Sequence, residues 1–561
     1  MIKFQDNNNK TLHKKHHFLM QGSILAVSGI IVRIIGLFYR IPMINIIGNK
    51  GNGYYTSAYS VYSLFLILSS YSFPISISKV VSERLAVGRY KDVKNVIKAS
   101  LIIALFVGLI MFLIMFYGAE FISNIYRKPL LKFALRALAP TLFIMSFLGV
   151  FRGLFQGMGN MIPTAISQIF EQIANAITSI LFAYILFNRG VIANMIYEST
   201  EYSYAFGARG GAIGTGIGAF TALAFLFFVF LSLMSKYKML LNNNNYYDPE
   251  SRNRIFKVLY HTMIPIIVSG TIYNLTTVLD DLIFSNVLTI MKSELNIVIL
   301  WGVFGNYHLL FNIPVAVANS LTSSIIPSIS TSVEKNEVRE VVLKVKYSIK
   351  YTMLIVTPAF VGLIILADPI CRVLFKENLD ILINMLRAGS IAVVFFSLST
   401  VTIGILQGLG HYTKPLKNTL IALIIHIIAC LIFLIPLRQN IYGIVFGMIV
   451  FAMVLFILNQ RDLNRIVRYR NSSFQRRYIL TFTLMFLSAA LMGITTYFIN
   501  RFLLKYVLTS GSYFSMLLRL LICIIIATFV YCFFIIMLGV VRKRDSDYIP
   551  FISKFEFLLR G

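Results

Sequence analysis

Runs of about twenty mostly apolar residues, the length a helix needs to cross a ~30 Å hydrocarbon core, recur from one end of this 561-residue chain to the other. They begin near Phe18, Gly53, Asn95, Leu131, Ile162, Gly210 and Phe256, then near Ile297, Tyr347, Ile381, Pro415, Ile441, Tyr478 and Ser515, fourteen in all. No polar stretch between them is long enough for a water-soluble domain. Only 13% of the residues are charged, against about a quarter in a soluble domain, and 58% are hydrophobic. With a mean hydropathy of +0.78, the expected fold class is an all-α polytopic membrane protein of about 14 transmembrane helices.

The net charge of +29 would suggest nucleic acid in a soluble chain. Here its placement assigns it to loops. Lys14 and Lys15 precede the first run, and Arg84, Arg89, Lys91 and Lys94 follow the second. Lys236, Lys238, Arg252 and Arg254 follow the sixth; Lys335, Arg339, Lys344 and Lys346 follow the eighth. Arg461, Arg465, Arg468, Arg470, Arg476 and Arg477 follow the twelfth, and Arg542, Lys543 and Arg544 the last. Basic loops mark the cytoplasmic side, so both termini are expected there, and no nucleic-acid partner is expected. The N-terminal MIKFQDNNNKTLHKKHH leads into a run too long for a signal-peptide core, which reads as a retained first span. The four cysteines show no CxxC spacing, which argues against a disulfide framework or zinc site.

The chain also repeats itself. GLFQGMGNMIP (153–163) and GILQGLGHYTKP (404–415) place Gln156 and Gln407 251 positions apart. FPISISKVVSE (73–83) and IPSISTSVEK (326–335) place Pro74 and Pro327 253 apart, each before a basic amphipathic loop. Two motifs at nearly one offset imply two six-span halves in the same orientation plus two further spans. The divisions are an N-lobe over 1–240, a cytoplasmic linker over 241–255, a C-lobe over 256–460, and two spans with a cytoplasmic tail over 461–561. Parallel repeats are a transporter architecture that handles substrate between halves by alternating access. The QGxG segments themselves read as tight turns that need glycine's access to positive φ.

RIIGLFYRIPMINIIGNKGNGYY, FPISISKVVSE, FRGLFQGMGNMIPTAISQIFEQ and GAIGTGIG together resemble the oligosaccharide-lipid branch of the multidrug/oligosaccharidyl-lipid/polysaccharide exporter superfamily. The likeness runs over almost the whole length and is nearest to Gram-positive lipid II flippases of the MurJ type and the stage V sporulation protein B group. It implies a two-lobed transporter with a central cavity in the bacterial plasma membrane. It also implies a polyprenyl-diphosphate-linked saccharide as substrate, membrane lipids and cell-wall synthesis machinery as partners, and two last spans that form a groove for the lipid tail. Gram-negative members carry an Asp after the second arginine of the first span, where this chain has Ile41, and further arginines in spans two and eight. Here span eight offers Asn306, His308 and Asn312 instead.

Arg33 and Arg40 lie seven apart in GIIVRIIGLFYR, on nearly one face of the first span. Guanidinium groups grip phosphate bidentately, and charges inside a membrane generally face a cavity. Arg33 reads as a diphosphate contact; Arg40 reads as a second contact or as an interfacial anchor. In the family the matching arginines line a cationic cavity. Glu171, beside Gln172 in span five, needs a partner such as a cavity arginine, or else is protonated or a proton site. His308 reads as a hydrogen-bonded helix residue or a proton relay. Asp280 and Asp281 in span seven point about 100° apart; family members hold sodium at an aspartate there, and Asn418 in span eleven can add an oxygen. Sodium or proton coupling is thus expected, with outer-end solvation the competing role for the aspartates. Arg136, Arg387 and Arg519 read as interfacial anchors, Arg152 as a phospholipid headgroup contact and Trp301 as an interfacial anchor.

No GxxxxGK[ST], HExxH or GxSxG occurs, so direct ATP use and the corresponding hydrolytic chemistries are not expected, nor is a cofactor. The leading expectation is a non-enzymatic flippase for an undecaprenyl-diphosphate-linked saccharide such as lipid II. The alternatives are a flippase for another polysaccharide or sporulation precursor, a cation-coupled multidrug exporter, a glycan-transferring membrane enzyme, and an assembly scaffold.

Overall fold

The computed structural model describes residues 3–241, 250–292, 295–467, 472–507 and 512–542, with most of their side chains from Ser28 onward. The Asn-rich part of the expected linker, 242–249, lies outside the described residues. So do the side chains of Lys14, Lys15, Lys236, Lys238, Arg468, Arg470, Arg476, Arg477, Lys543 and Arg544. Among the described residues there are helices and no strand. In chain order they are α1 (Lys3–Leu66), α2 (Ser72–Ala86), α3 (Tyr90–Tyr117), α4 (Ala119–Ile125), α5 (Leu131–Gly157) and α6 (Ile162–Ile196). Then come α7 (Tyr202–Leu241), α8 (Arg252–Ile290), α9 (Ile297–Glu334), α10 (Val338–Ile365), α11 (Ala367–Leu374) and α12 (Leu379–Gly389). The last are α13 (Ile391–Gly408), α14 (Thr413–Leu434), α15 (Ile441–Val467), α16 (Ser472–Phe502) and α17 (Tyr513–Met537). A π-helical turn at Ile67–Tyr71 joins α1 to α2.

Twelve helices among the described residues are long and apolar enough to cross a membrane. Fourteen were expected, and the difference has two visible sources. The first of the twelve, Ser28–Ala86, is 59 residues long, and it contains a reversal. Gly48 leaves helical geometry at φ 66, ψ 175, a conformation open to glycine. Arg40 and Tyr59 would be about 28 Å apart along a straight helix, yet the Arg40 guanidinium lies 5.1 Å from the Tyr59 ring. The segment therefore folds back on itself. The expected seventh span is α8, a 39-residue helix that is not among the twelve, some of its side chains lying outside the described residues. The expected tenth span divides at Ser390 into α12 and α13.

Two compact units divide the chain, Met1–Gly302 and Val303–Gly561. The first extends past the expected lobe boundary at 240 because α8 packs with the helices before it. Ile255, Leu259 and Met263 are buried in one core with Phe73, Ile77, Val93 and Val150 of α2, α3 and α5. Within this unit α6 and α7 approach closely. Gly210, Gly214 and Gly218 recur every fourth residue on α7, and a Cβ on any of them would run into the backbone of α6 at Phe182, Ser179 and Glu171. Small residues at such spacing let helix backbones come together in a membrane.

The repeat seen in the sequence is present in the backbone of each unit. After α5, Asn160 N–H donates to Phe155 C=O (3.0 Å) and Gly159 N–H to Gln156 C=O (3.0 Å). After α13, His411 N–H donates to Leu406 C=O (2.9 Å) and Gly410 N–H to Gln407 C=O (2.9 Å). Both are Schellman caps, with glycine in the left-handed region at φ 76 and φ 82. A short helix follows α3 and another follows α10 at matching repeat positions, α4 from Ala119 and α11 from Ala367, which the motif search did not find.

Candidate functional site

Polar residues line one face of α6. Gln168, Glu171, Gln172 and Asn175 stand at i, i+3, i+4 and i+7, which share a helix face. On α1, Arg33, Gly36 and Arg40 stand at i, i+3 and i+7. The two helices touch in register along their length. Ser28 Oγ donates to Gln168 Oε1 (3.3 Å), Gln172 Oε1 lies 4.0 Å from where a Cβ on Gly36 would stand, and Asn175 Nδ2 donates to Tyr39 Oη (3.1 Å). Gln172 Oε1 is itself buried without a hydrogen-bond partner, an acceptor kept from bulk water.

Arg40 is half-buried, with its guanidinium 5.1 Å from the Tyr59 ring centre and 5.6 Å from that of Tyr55. The reversal at Gly48 supplies those rings, and their faces attract the cation. Arg33 is exposed, about 10 Å further along the same stripe. Glu171 was expected to need a partner such as an arginine, and Arg152 of α5 supplies it. Arg152 Nη2 lies 2.7 Å from Glu171 Oε2, and its Nε donates to Ser167 Oγ at 3.2 Å. Arg152 is 11% exposed, engaged with a carboxylate rather than free for the headgroup contact expected of it.

The span-seven aspartates separate as their 100° offset requires. Asp281 is fully buried, with Oδ1 2.5 Å from the ammonium of Lys128, also fully buried. Lys128 Nζ donates to Ser57 Oγ (2.8 Å) and lies 5.2 Å from the Trp301 ring. Ser285 Oγ donates to the same Asp281 oxygen (3.1 Å), while Asp281 Oδ2 is buried without a hydrogen bond. Asp281 thus already faces a cation of the protein. Asp280 is 3% exposed. Neither aspartate is at a solvated surface. Trp301, expected at an interface, is wholly buried and stacks on Phe284 at 5.8 Å.

In the second unit, His308 pairs with Asn312 (2.9 Å) and stacks between Phe304 and Phe311, centroids 6.1 and 5.9 Å away. Asn418 sits in the second turn of α14. Its Nδ2 donates to Asn459 Oδ1 and Asp462 Oδ2, each at 2.9 Å. The carboxylate beside Asn418 therefore comes from α15, although the sequence offered none in its own span.

Sequence reasoning named Arg33, Arg40, Glu171 and Gln172 as candidates and did not name Gln168 and Asn175. Their signal was available, since the i, i+3, i+4, i+7 polar pattern in QIFEQIAN is an amphipathic face. Lys128 had no such signal: it follows a seven-residue helix in a short loop.

A family model described as polysaccharide biosynthesis protein matches residues 18–333. Among curated relatives, the lipid II flippase MurJ of Bacillus subtilis (strain 168) is 24% identical over 441 residues, 75% of this chain and 77% of that one. Stage V sporulation protein B of the same organism is 23% identical over 374 residues, 65% of this chain and 68% of that one. Among solved structures, an inward-facing multidrug resistance MATE family transporter of the MOP superfamily superposes with a TM-score of 0.63 at 16% identity, over 80% of this chain and all of that one. The lipid II flippase MurJ in an inward closed conformation gives 0.61 at 16% identity, over 91% and 98%. These likenesses establish the fold of a multi-pass membrane transporter.

Proposed function

The chain belongs to the polysaccharide biosynthesis protein family, in the oligosaccharidyl-lipid branch of the MOP superfamily, and from that premise we propose that it is a flippase of the bacterial cell membrane. Its substrate in this reading is an undecaprenyl-diphosphate-linked saccharide, lipid II or a close relative, moved from the cytoplasmic to the outer leaflet by alternating access. Both termini are cytoplasmic, and the reaction makes and breaks no covalent bond.

The observation that carries this reading is the α1–α6 strip. A diphosphate cannot enter hydrocarbon uncompensated, so the headgroup requires fixed cations along its path. Arg40, steadied by Tyr55 and Tyr59, offers a guanidinium whose hydrogen-bond donors are directed by the stacked rings. Arg33, about 10 Å away on the same face, offers a second. Gln168, Gln172 and Asn175 supply amides suited to sugar hydroxyls. The Arg152–Glu171 pair holds its own charges together, leaving the strip net positive. In the coupled form of the cycle, Asp280, buried on α8, accepts the driving cation, sodium or a proton.

The test is a leaflet-accessibility assay on the reconstituted chain with a fluorescent polyprenyl-diphosphate saccharide, beside rescue of cells depleted of their lipid II flippase. Wild type should transfer the lipid and support growth. Arg40→Ala and Arg33→Ala should each cut transfer by about tenfold or more, the loss of a charge-assisted phosphate contact. Full transfer by both variants would end the role of the strip. Transfer in vitro without rescue would move the substrate to another lipid-linked glycan. An imposed sodium or pH gradient should accelerate wild type and not Asp280→Asn.

A further inference from the structure

A second site of different character lies elsewhere in the first unit. A groove of about 540 Å³ opens between the end of α3 and the first halves of α5 and α7, a volume within the ~300–1,000 Å³ of small-ligand sites. Arg136 and Arg209 line it, each in the second turn of its helix, with Phe116 and Phe133 beside them. Below the arginines the walls are apolar as far as Ile144 on α5 and Phe220 on α7. At 1.5 Å per residue these lie about 12 and 16 Å from the arginines, close to half of a ~30 Å hydrocarbon core. The groove is thus cationic at one end and runs the depth of one leaflet.

Two polar groups in it lack protein partners. Arg136 Nε is buried without a hydrogen-bond acceptor; the nearest carboxylate, Glu120, reaches Nη2 at 3.7 Å and is held more closely by Lys132 at 2.7 Å. Thr141 is wholly buried, lines the groove, and its Oγ1 has no hydrogen-bond partner. Thr141 sits about 7 Å deeper than Arg136 along the helix. A buried hydroxyl left unsatisfied is costly, so this spacing calls for an acceptor below an anion.

We propose that this groove binds an anionic glycerophospholipid of the leaflet opposite the QGxG turns. The phosphate lies between Arg136 and Arg209, an ester carbonyl accepts from Thr141 Oγ1, and one acyl chain runs down the apolar walls. A polyprenyl tail is far longer than one leaflet, and a free phosphate leaves both the hydroxyl and the walls unused. The assignment is independent of the transport reading. The repeat supplies a control: Arg387 stands 251 positions after Arg136, the offset of the QGxG glutamines, whereas Thr141 corresponds to Ala392.

Native mass spectrometry of the full-length chain, released from micelles containing equal dioleoylphosphatidylglycerol and dioleoylphosphatidylcholine, tests this. Wild type should retain phosphatidylglycerol about tenfold over phosphatidylcholine, from two arginines at the headgroup. Arg136→Gln/Arg209→Gln should bring the ratio near one, and Thr141→Val should weaken retention of both lipids. Arg387→Gln should leave the ratio unchanged, and millimolar inorganic phosphate should displace nothing. Equal retention of the two lipids by wild type overturns the proposal, as does a wild-type ratio in the double arginine variant. Loss of preference in Arg387→Gln would reduce the effect to general surface charge, and displacement by phosphate would reduce it to an anion site; either overturns it. Should the double variant not survive purification, Thr141→Val and the groove-filling Ile217→Trp decide, the latter expected to exclude lipid altogether.

Discussion

Lys128 and Asp281 show what one buried charge demands of the residues around it. Both are fully removed from solvent, so each depends on the other. Removing one partner of such a pair leaves an uncompensated charge at a cost of about 3–5 kcal/mol, while replacing both by apolar residues is often neutral. Lys128→Met should therefore lower thermal stability sharply, and Lys128→Met/Asp281→Leu should recover most of it. Trp301 is the only tryptophan and lies 5.2 Å from the ammonium, so intrinsic fluorescence reads this position directly. Equal destabilisation by the single and double variants would show that the pair is not coupled. Arg40 is the contrasting residue. Its aromatic neighbours orient the guanidinium without neutralising it.

At the scale of elements, α6 and α7 fit because one presents glycine where the other presents backbone. Ser179 Oγ donates to Gly211 C=O at 3.0 Å and to Asn175 Oδ1 at 2.7 Å, so this seam also fixes the polar face of α6. A Cβ on Gly214 would strike Ser179. Gly214→Val should cost about 1–3 kcal/mol by overpacking and should disturb flipping by tilting that face, read as a lower unfolding temperature together with lower transfer. The same change at Gly362, where a Cβ meets nothing within 4 Å, should be much milder. Comparable losses at both positions would refute the seam argument.

At the scale of the whole molecule, the compact units are Met1–Gly302 and Val303–Gly561, so α8 belongs with the helices before it. Glu250, at the end of that linker, pairs with Arg84 (2.7 Å) and Arg89 (3.1 Å) and takes its backbone N–H to Asp92 Oδ1 (2.9 Å). The linker's end is thus tied to the loop between α2 and α3. A fragment ending at 302 should be more stable in detergent than one ending at 241, since the shorter piece leaves Lys128 without Asp281 and exposes the core that Ile255, Leu259 and Met263 complete. Equal unfolding temperatures would place the boundary back at the linker. The repeat motifs located the turns correctly, because a Schellman cap is built from adjacent residues. Where the compact units part depends instead on where α8 packs.

The sequence by itself determined the solvent of this protein, its helical class, its duplication and the face of α1 that carries Arg33 and Arg40. Each follows from local chemistry: run length against bilayer thickness, periodicity against helix geometry, glycine at a turn. Tertiary structure alone decided which charge answers which. Lys128 meets Asp281 across 153 positions, Arg152 of α5 meets Glu171 of α6, and Asn418 finds Asp462 on another helix. A buried ion is stabilised by whatever lies within a few ångströms of it, and that distance is set by helix packing rather than by neighbours in the chain.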